Sequence, residues 1–278
     1  MYVKYVYFDL DGTLVPDGVS ISNRTLLAIE YLKSKGIKVG IATGRSLFFT
    51  DYFANLLNVN LPLICANGAW TLTPKDFLTL ETIFINDQAL QKLINYFEAE
   101  QKDFLVYTTS GIFTTSVNLE FFKRLSGFIQ KNVENKTKSK FNFEMRQLNS
   151  FDEFKKLSVL KVLINYSDVQ EKIKYEKFLS SFSDLNFDIS PNSKIFDIYN
   201  ADTDKGKAIM KVVENKRFFK RDMMVFGDNE NDLKMFAAFP ANAVALKNAE
   251  YNVRKAAKYT TDFTCQQEGV ADFIFKRF

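Results

Sequence analysis

Histidine is missing altogether from the 278 residues, and that absence removes more chemistry than any other feature of the sequence. No Ser-His-Asp triad, Cys-His pair, imidazole proton shuttle, or histidine-ligated zinc or haem can be built without it. Cysteine is nearly absent: Cys65 and Cys265 are too few for a disulfide scaffold or a four-thiolate metal site. Both are expected to be reduced and buried, with a reducing cytoplasm as the setting. Only 5 prolines leave little room for a stiff linker. No apolar run approaches the ~20 residues of a membrane-spanning helix, and no basic start and apolar core of a secretion signal precedes Asp9 and Asp11. A soluble protein outside the usual export route is expected. The 37 basic and 33 acidic residues leave a net charge of only +4, too small an excess to point to nucleic acid. The most basic stretch, residues 131–140, also carries Glu134 and reads as a solvated loop.

What is present is the balance of an ordinary globular protein, 46% hydrophobic and 25% charged, with 29 phenylalanines to fill its cores. The length suits two units, or one α/β unit with an insertion. Residues 2–8 read as a buried strand. Ser22 caps a helix running to about Lys35, with Leu26, Ile29 and Leu32 on its buried side, and Gly36 ends it. A strand over 37–42, a helix over 46–57 and a strand over 63–66 follow. The same alternation returns late, with helices at 205–215, 230–238 and 249–257 and strands at 223–226 and 243–246. Alternating strands and helices predict a parallel, Rossmann-like sheet. Between these halves the rhythm changes. Residues 104–109 and 112–116 pair across a Ser110-Gly111 turn. Leu90, Leu93, Ile94 and Phe97 repeat with helical spacing, and Val169, Ile173, Leu179 and Phe182 mark another helix capped by Asp168. The expected organisation is an α/β core formed by residues 1–82 and 189–278, with an α+β domain, 83–188, inserted into it.

Chemistry gathers at four places. In Asp9-Leu10-Asp11-Gly12-Thr13 a hydrophobic strand runs into two carboxylates spaced i, i+2, which share a side if the chain stays extended. Unless a cation lies between them, one must hold its proton more tightly. Such a pair suits a nucleophile and a proton carrier, although Asp-Gly is also ordinary turn chemistry. Thr43-Gly44-Arg45 joins a second strand to a helix, offering a hydroxyl, a flexible glycine amide and a helix N-terminus to an anion, or simply a helix cap. Lys205 opens a helix whose dipole disfavours a cation there, which asks for a reason; binding phosphate would be one, although an exposed lysine is the commoner case. Finally Gly227-Asp228-Asn229-Glu230-Asn231-Asp232 again carries a strand into carboxylates. Asp228 could ligand a hard cation, and Asn231 and Asp232 could steady phosphate and lysine; an acidic helix cap is the plainer alternative. Together, at strand ends and helix starts, the four segments supply a nucleophile, proton carrier, hydroxyl, cation and metal carboxylate.

These segments resemble the four motifs of the haloacid dehalogenase-like (HAD) superfamily of phosphatases. The whole chain, with its long α+β insertion between the second and third motifs, resembles the Cof-like hydrolase branch, and the resemblance covers nearly everything over residues 4–275. Cys65-Ala66-Asn67-Gly68-Ala69 adds support. The resemblance implies that Asp9 attacks phosphorus and becomes an aspartyl phosphate, while Asp11 protonates the leaving oxygen and then activates water. It implies that Thr43, Gly44, Lys205 and Asn231 bind the phosphoryl group and that Arg45 and Asn67 face the substrate. Mg²⁺ would be liganded by Asp9, the Asp11 backbone carbonyl and Asp228, with Asp232 supporting. The implied substrate is a small phosphorylated metabolite, a sugar phosphate by default. Pyridoxal phosphate or flavin mononucleotide is an aromatic alternative, with Tyr107, Phe113 and Arg146 among the side chains that would set the choice. A phosphotransferase or mutase on the same scaffold, and a non-catalytic regulatory protein, are the competing functions. The chain departs from the family at Lys247, within Val244-Ala245-Leu246-Lys247-Asn248-Ala249, at residues 239–242, and at residues 265–270. These departures are expected to leave the catalytic set untouched.

Overall fold

Tyr5–Phe8, strand β1, is an interior strand of the parallel sheet, and Val6, Tyr7 and Phe8 on it are fully buried. The computed structural model describes residues 3–120, 122, 123, 125, 143–190 and 194–278, so the basic stretch 131–140 lies outside the described residues. After β1 the chain forms α1 (Asn23–Ser34), capped by the Ser22 side chain accepting from the Thr25 amide. Next come β2 (Lys38–Ile41), α2 (Asp51–Leu56), β3 (Leu63–Cys65), β4 (Trp70–Leu72) and β5 (Thr79–Thr82). The helix expected over 46–57 is shorter: a 3₁₀ turn at Leu47–Phe49 precedes α2, and the Thr50 hydroxyl between them bonds back to the Ser46 carbonyl. The chain then builds β6 (Phe104–Tyr107), β7 (Gly111–Thr114), β8 (Glu144–Gln147), β9 (Lys161–Asn165), β10 (Leu185–Ser190) and β11 (Ile195–Asn200), with α3 (Asp87–Ala99), α4 (Phe151–Phe154) and α5 (Val169–Leu179). It ends with α6 (Lys205–Asn215), β12 (Met223–Gly227), α7 (Leu233–Ala238), β13 (Ala243–Ala245), α8 (Tyr251–Ala256), β14 (Tyr259–Thr260) and α9 (Gly269–Arg277).

Two compact units result: one from residues 1–81 and 204–278, the other from 82–203. The first holds a five-stranded parallel sheet in the order β14-β13-β12-β1-β2. The sequence pattern suggested β3 as a third strand of that sheet, but it is not a full member of it. It touches it through one bridge, Ala42 to Ile64, and pairs antiparallel with β4 in a separate three-stranded sheet. The reversal is made at Ala66, Asn67 and Gly68, all with positive φ.

The second unit is a six-stranded sheet, β10-β11-β9-β6-β7-β8, antiparallel except between β7 and β8. Leu90, Leu93, Ile94 and Phe97 of α3 pack with Phe104, Val106, Val162, Ile164, Phe196 and Ile198 on one face. The expected boundary after residue 188 falls inside β10. That strand pairs with β11 from Leu185–Asn200 to Ser190–Ile195, and β11 pairs with β9, so residues 189–203 belong to the second unit. On α5 the buried positions are Tyr175 and Leu179, while Val169 and Ile173 face outward, so the expected stripe is rotated. Both cysteines are free and buried. No helix among the described residues is long and apolar enough to cross a membrane.

Candidate active site

In a parallel sheet every strand ends on the same edge, and here the polar residues that follow β1, β2, β12 and β13 collect there. Asp9 directly follows β1. Its backbone N–H donates to the Phe226 carbonyl at 3.0 Å, extending the ladder, and its carboxyl is nearly buried. Lys205, the first residue of α6, reaches it: Nζ donates to Asp9 Oδ1 and to Asp232 Oδ1, each at 2.7 Å. The cation at a helix start therefore has two buried anionic partners. Asp204 caps that helix by accepting from the Lys207 amide at 2.6 Å. Asp232 Oδ2 in turn accepts from the amides of Asp228 at 2.9 Å and Asn229 at 3.1 Å. These bonds fix a 3₁₀ turn, Glu230–Asp232, at the start of the segment expected to be helical throughout.

Oxygens of Asp9, Asp228 and Asp232 lie within 4.8 Å of one another, and two of the three carboxylates, Asp9 and Asp232, pair with the one buried ammonium. Burial raises the Asp9 carboxyl well above its usual range; Lys205 opposes the rise and the charges of Asp232, Asp228 and Asp11 add to it. Burial, then the Asp232 charge, push Asp228 up to about 7. For Lys205, burial favours deprotonation, but Asp232 and Asp9 outweigh it and hold the ammonium charged. The cluster has a surplus of negative charge and an all-oxygen donor set, the chemistry of a hard divalent cation. Asp232 accepts from the Lys205 ammonium through one oxygen and from two backbone amides through the other, whereas Asp228 accepts only neutral side-chain donors, one on each oxygen, so Asp9 and Asp228 are the carboxylates best able to face a cation.

Asp11 stands outside the three-carboxylate group. The chain turns after Leu10, whose carbonyl accepts from the amides of Thr13, Leu14 and Val15. The Asp11 side chain is 55% exposed and is gripped by Arg45 through Nε at 2.8 Å and through Nη2, which also donates to the Gly18 carbonyl at 2.7 Å. Gly12 has φ +74°, and a Cβ there would stand 2.1 Å from Asp228 Oδ2, so only glycine lets this loop lie against that carboxylate. Thr43 is buried, with its hydroxyl accepting from the Arg45 amide at 3.2 Å. Asn67, at φ 56°, accepts from Asn231 Nδ2 at 3.3 Å, and a Cβ on Gly44 would sit 2.9 Å from the same Asn67 oxygen. Gly44, Asn67 and Asn231 thus form one cluster, while Arg45 is turned to Asp11. In the second unit, Tyr107 and Phe113 are buried and Phe113 belongs to the helix-packed core. Arg146 lies over the Phe113 ring and pairs with Glu144.

Two residues at the site escaped the sequence reading. Thr13 Oγ1 donates to Asp228 Oδ1 at 2.9 Å, and Asn248 Nδ2 donates to Asp228 Oδ2 at 3.2 Å. Thr13 stands inside the first motif, so its hydroxyl was a visible signal; Asn248 stands beside the noted Lys247. The divergent C-terminal segment also comes close: the Cys265 amide donates to Asn248 Oδ1 at 2.8 Å and its thiol to the Thr13 carbonyl at 3.1 Å. That departure touches the residues supporting Asp228, because the Cys265–Gln267 turn closes over the loop that follows β1.

A family model for haloacid dehalogenase-like hydrolases matches residues 6–274. MG265 of Mycoplasma genitalium, provisionally named a phosphatase, is 27% identical over 99% of this chain and 99% of its own. The 5-amino-6-(5-phospho-D-ribitylamino)uracil phosphatase YcsE of Bacillus subtilis is 25% identical, over 98% of this chain and 94% of its own. A haloacid dehalogenase-like hydrolase of B. subtilis shares the fold at a TM-score of 0.82 and 24% identity, covering 99% of this chain and 100% of that one.

Proposed function

The chain belongs to the haloacid dehalogenase-like hydrolase family and is a phosphatase, and from that premise we propose that it hydrolyses small phosphorylated metabolites, sugar phosphates foremost, through a phosphorylated Asp9 in a Mg²⁺-dependent reaction. The observation that carries this reading is the buried Asp9 carboxylate, held by Lys205 and grouped with Asp228 and Asp232. Asp9 attacks phosphorus, and the bond from phosphorus to the ester oxygen breaks. Asp11 gives its proton to that departing oxygen. In the second step Asp11 takes a proton from water, which attacks the same phosphorus; the bond to Asp9 breaks, and inorganic phosphate leaves with the carboxylate restored.

Lys205, the Thr43 hydroxyl, the Gly44 amide and Asn231 hold the phosphoryl oxygens, and Lys205 offsets charge as it spreads over them. Arg45 steadies Asp11 from outside the cluster, and Asn67 orients Asn231. Asp9, Asp228 and the Asp11 backbone carbonyl would hold Mg²⁺, with Asp232 tying Lys205 to the amides behind them. Bound there, the ion would lower the repulsion between an anionic nucleophile and an anionic phosphate. The substrate named for YcsE is a phosphorylated ribityl chain, and that favours polyhydroxylated phosphate esters here too. A phosphate-release screen over phosphorylated metabolites, with and without Mg²⁺ and with Asp9→Asn as control, tests the proposal. Release that requires Mg²⁺ and Asp9 is expected. Transfer of phosphate to a sugar hydroxyl with no release to water would replace it with the phosphotransferase reading.

A further inference from the structure

We propose that Asn248 is a positioning residue for the divalent cation, holding Asp228 against the Gly12 backbone at the spacing in which Asp228 and the neighbouring Asp11 carbonyl receive it; this rests on the metal-dependent reading above. Asn248 lies just beyond β13, and its side-chain amide joins three segments. Nδ2 donates to the Gly12 carbonyl at 3.0 Å and to Asp228 Oδ2 at 3.2 Å, while Oδ1 accepts from the Cys265 amide at 2.8 Å. The last bond settles which end of the amide is which. A backbone N–H can only donate, so the oxygen faces Cys265 and the NH₂ group faces Asp228.

Asp228 therefore has a neutral donor on each oxygen, Thr13 on Oδ1 and Asn248 on Oδ2. These bonds fix the plane of the carboxylate without neutralising it, and each oxygen keeps lone-pair capacity for a cation. The contrast with Asp232 is direct: its oxygens are taken by an ammonium and two amides, so its charge is already spent within the protein. Gly12 makes the spacing critical. Its backbone lies so close to Asp228 that a single added carbon would overlap the carboxylate, and Asn248 bonds to both sides of that narrow gap. Hydrogen bonds that orient ligands in this way are typically worth about 10- to 100-fold in metal affinity.

Binding of Mn²⁺ to the full-length, substrate-free protein, followed by electron paramagnetic resonance, reads this directly. Asn248→Ala is expected to weaken Mn²⁺ binding by about 10- to 100-fold, and turnover should recover as Mg²⁺ is raised. Asn248→Ser, whose short hydroxyl cannot span both partners, should weaken binding in the same direction and serves if the alanine variant does not fold. Asn252→Ala, at an exposed neighbour bonded to Glu230, should bind Mn²⁺ as the unaltered protein does. Unchanged Mn²⁺ affinity in a folded Asn248 variant, with only a lower melting temperature, would overturn the assignment and leave Asn248 a purely structural residue. Absence of Mn²⁺ binding in the unaltered protein would instead overturn the cation reading on which the proposal rests.

Discussion

The two units place their buried polar groups in opposite ways. In the parallel sheet of the first unit the chemistry lies beyond the strand ends, where Asp9, Thr43, Asp228 and Asn248 follow β1, β2, β12 and β13 onto one edge. In the largely antiparallel sheet of the second unit, polar pairs lie within the strands. Lys161 Nζ donates to Asp197 at 2.6 Å between β9 and β11, and the Tyr199 hydroxyl donates to Asp188 at 2.9 Å between β11 and β10. Antiparallel strands end alternately on opposite edges, so they cannot pool carboxylates as parallel strands do. Topology therefore explains why one unit gathers surplus negative charge around a single ammonium while the other pairs its groups across neighbouring strands.

The comparison can be broken most severely at Asp9. Asp9→Asn should lower turnover on the order of 10⁶-fold, the scale of losing a covalent nucleophile, with an unchanged circular dichroism spectrum. Near-normal phosphate release would remove Asp9 from the chemistry. Asp11→Asn should lower kcat by about 10²- to 10⁴-fold, the usual contribution of a positioned acid-base group, and undiminished steady-state turnover would contradict that role. The two lysines sharpen the contrast itself. Lys205→Met leaves buried carboxylates uncompensated and should cost about 3–5 kcal/mol in denaturant unfolding, with Mg²⁺ restoring more stability than it adds to the unaltered protein. Lys161→Met should also destabilise, but with the Mg²⁺ increment unchanged. Equal Mg²⁺ increments in the two variants would mean that the first cluster is no more a cation site than the second.

The smallest effect is on pH. Asp228 is raised from 3.8 to about 7 in the folded protein, so its protonated form favours folding. That contribution is complete below the unfolded carboxyl value and is lost as pH rises through about 7. The raised Asp9 carboxyl acts in the same sense. Metal-free protein should therefore melt at a lower temperature at pH 8 than at pH 6, and Mg²⁺ should raise the melting temperature more at the higher pH. A metal-free melting temperature that rises over this interval would contradict the shift at Asp228.

The residues of the cluster were legible because each follows an apolar run or opens a helix, features that survive in one dimension. Asp9 after Tyr5–Phe8, Asp228 after Met223–Gly227 and Lys205 after its Asp204 cap all carry local signals. What bonds to what was not legible. Arg45 reaches Asp11 because the loop carries the Gly18 carbonyl to the same guanidinium, and no spacing rule encodes that. Asn248 and Thr13 are polar residues among many until β13 and β1 are set in one sheet. Among the elements, β4, β5 and β14 are only two to four residues long, too short for alternation to register. The boundary of the second unit was missed because nothing local in β10 or β11 marks which sheet they join, and only their antiparallel pairing assigns them.

The most direct test of the account is to quench the working enzyme in acid after milliseconds with ³²P-labelled substrate and map the labelled peptide. Label on the peptide containing Asp9, released by hydroxylamine as an acyl phosphate is, is the result expected. Label on another residue, or none while phosphate is still being formed, would contradict a phosphorylated Asp9.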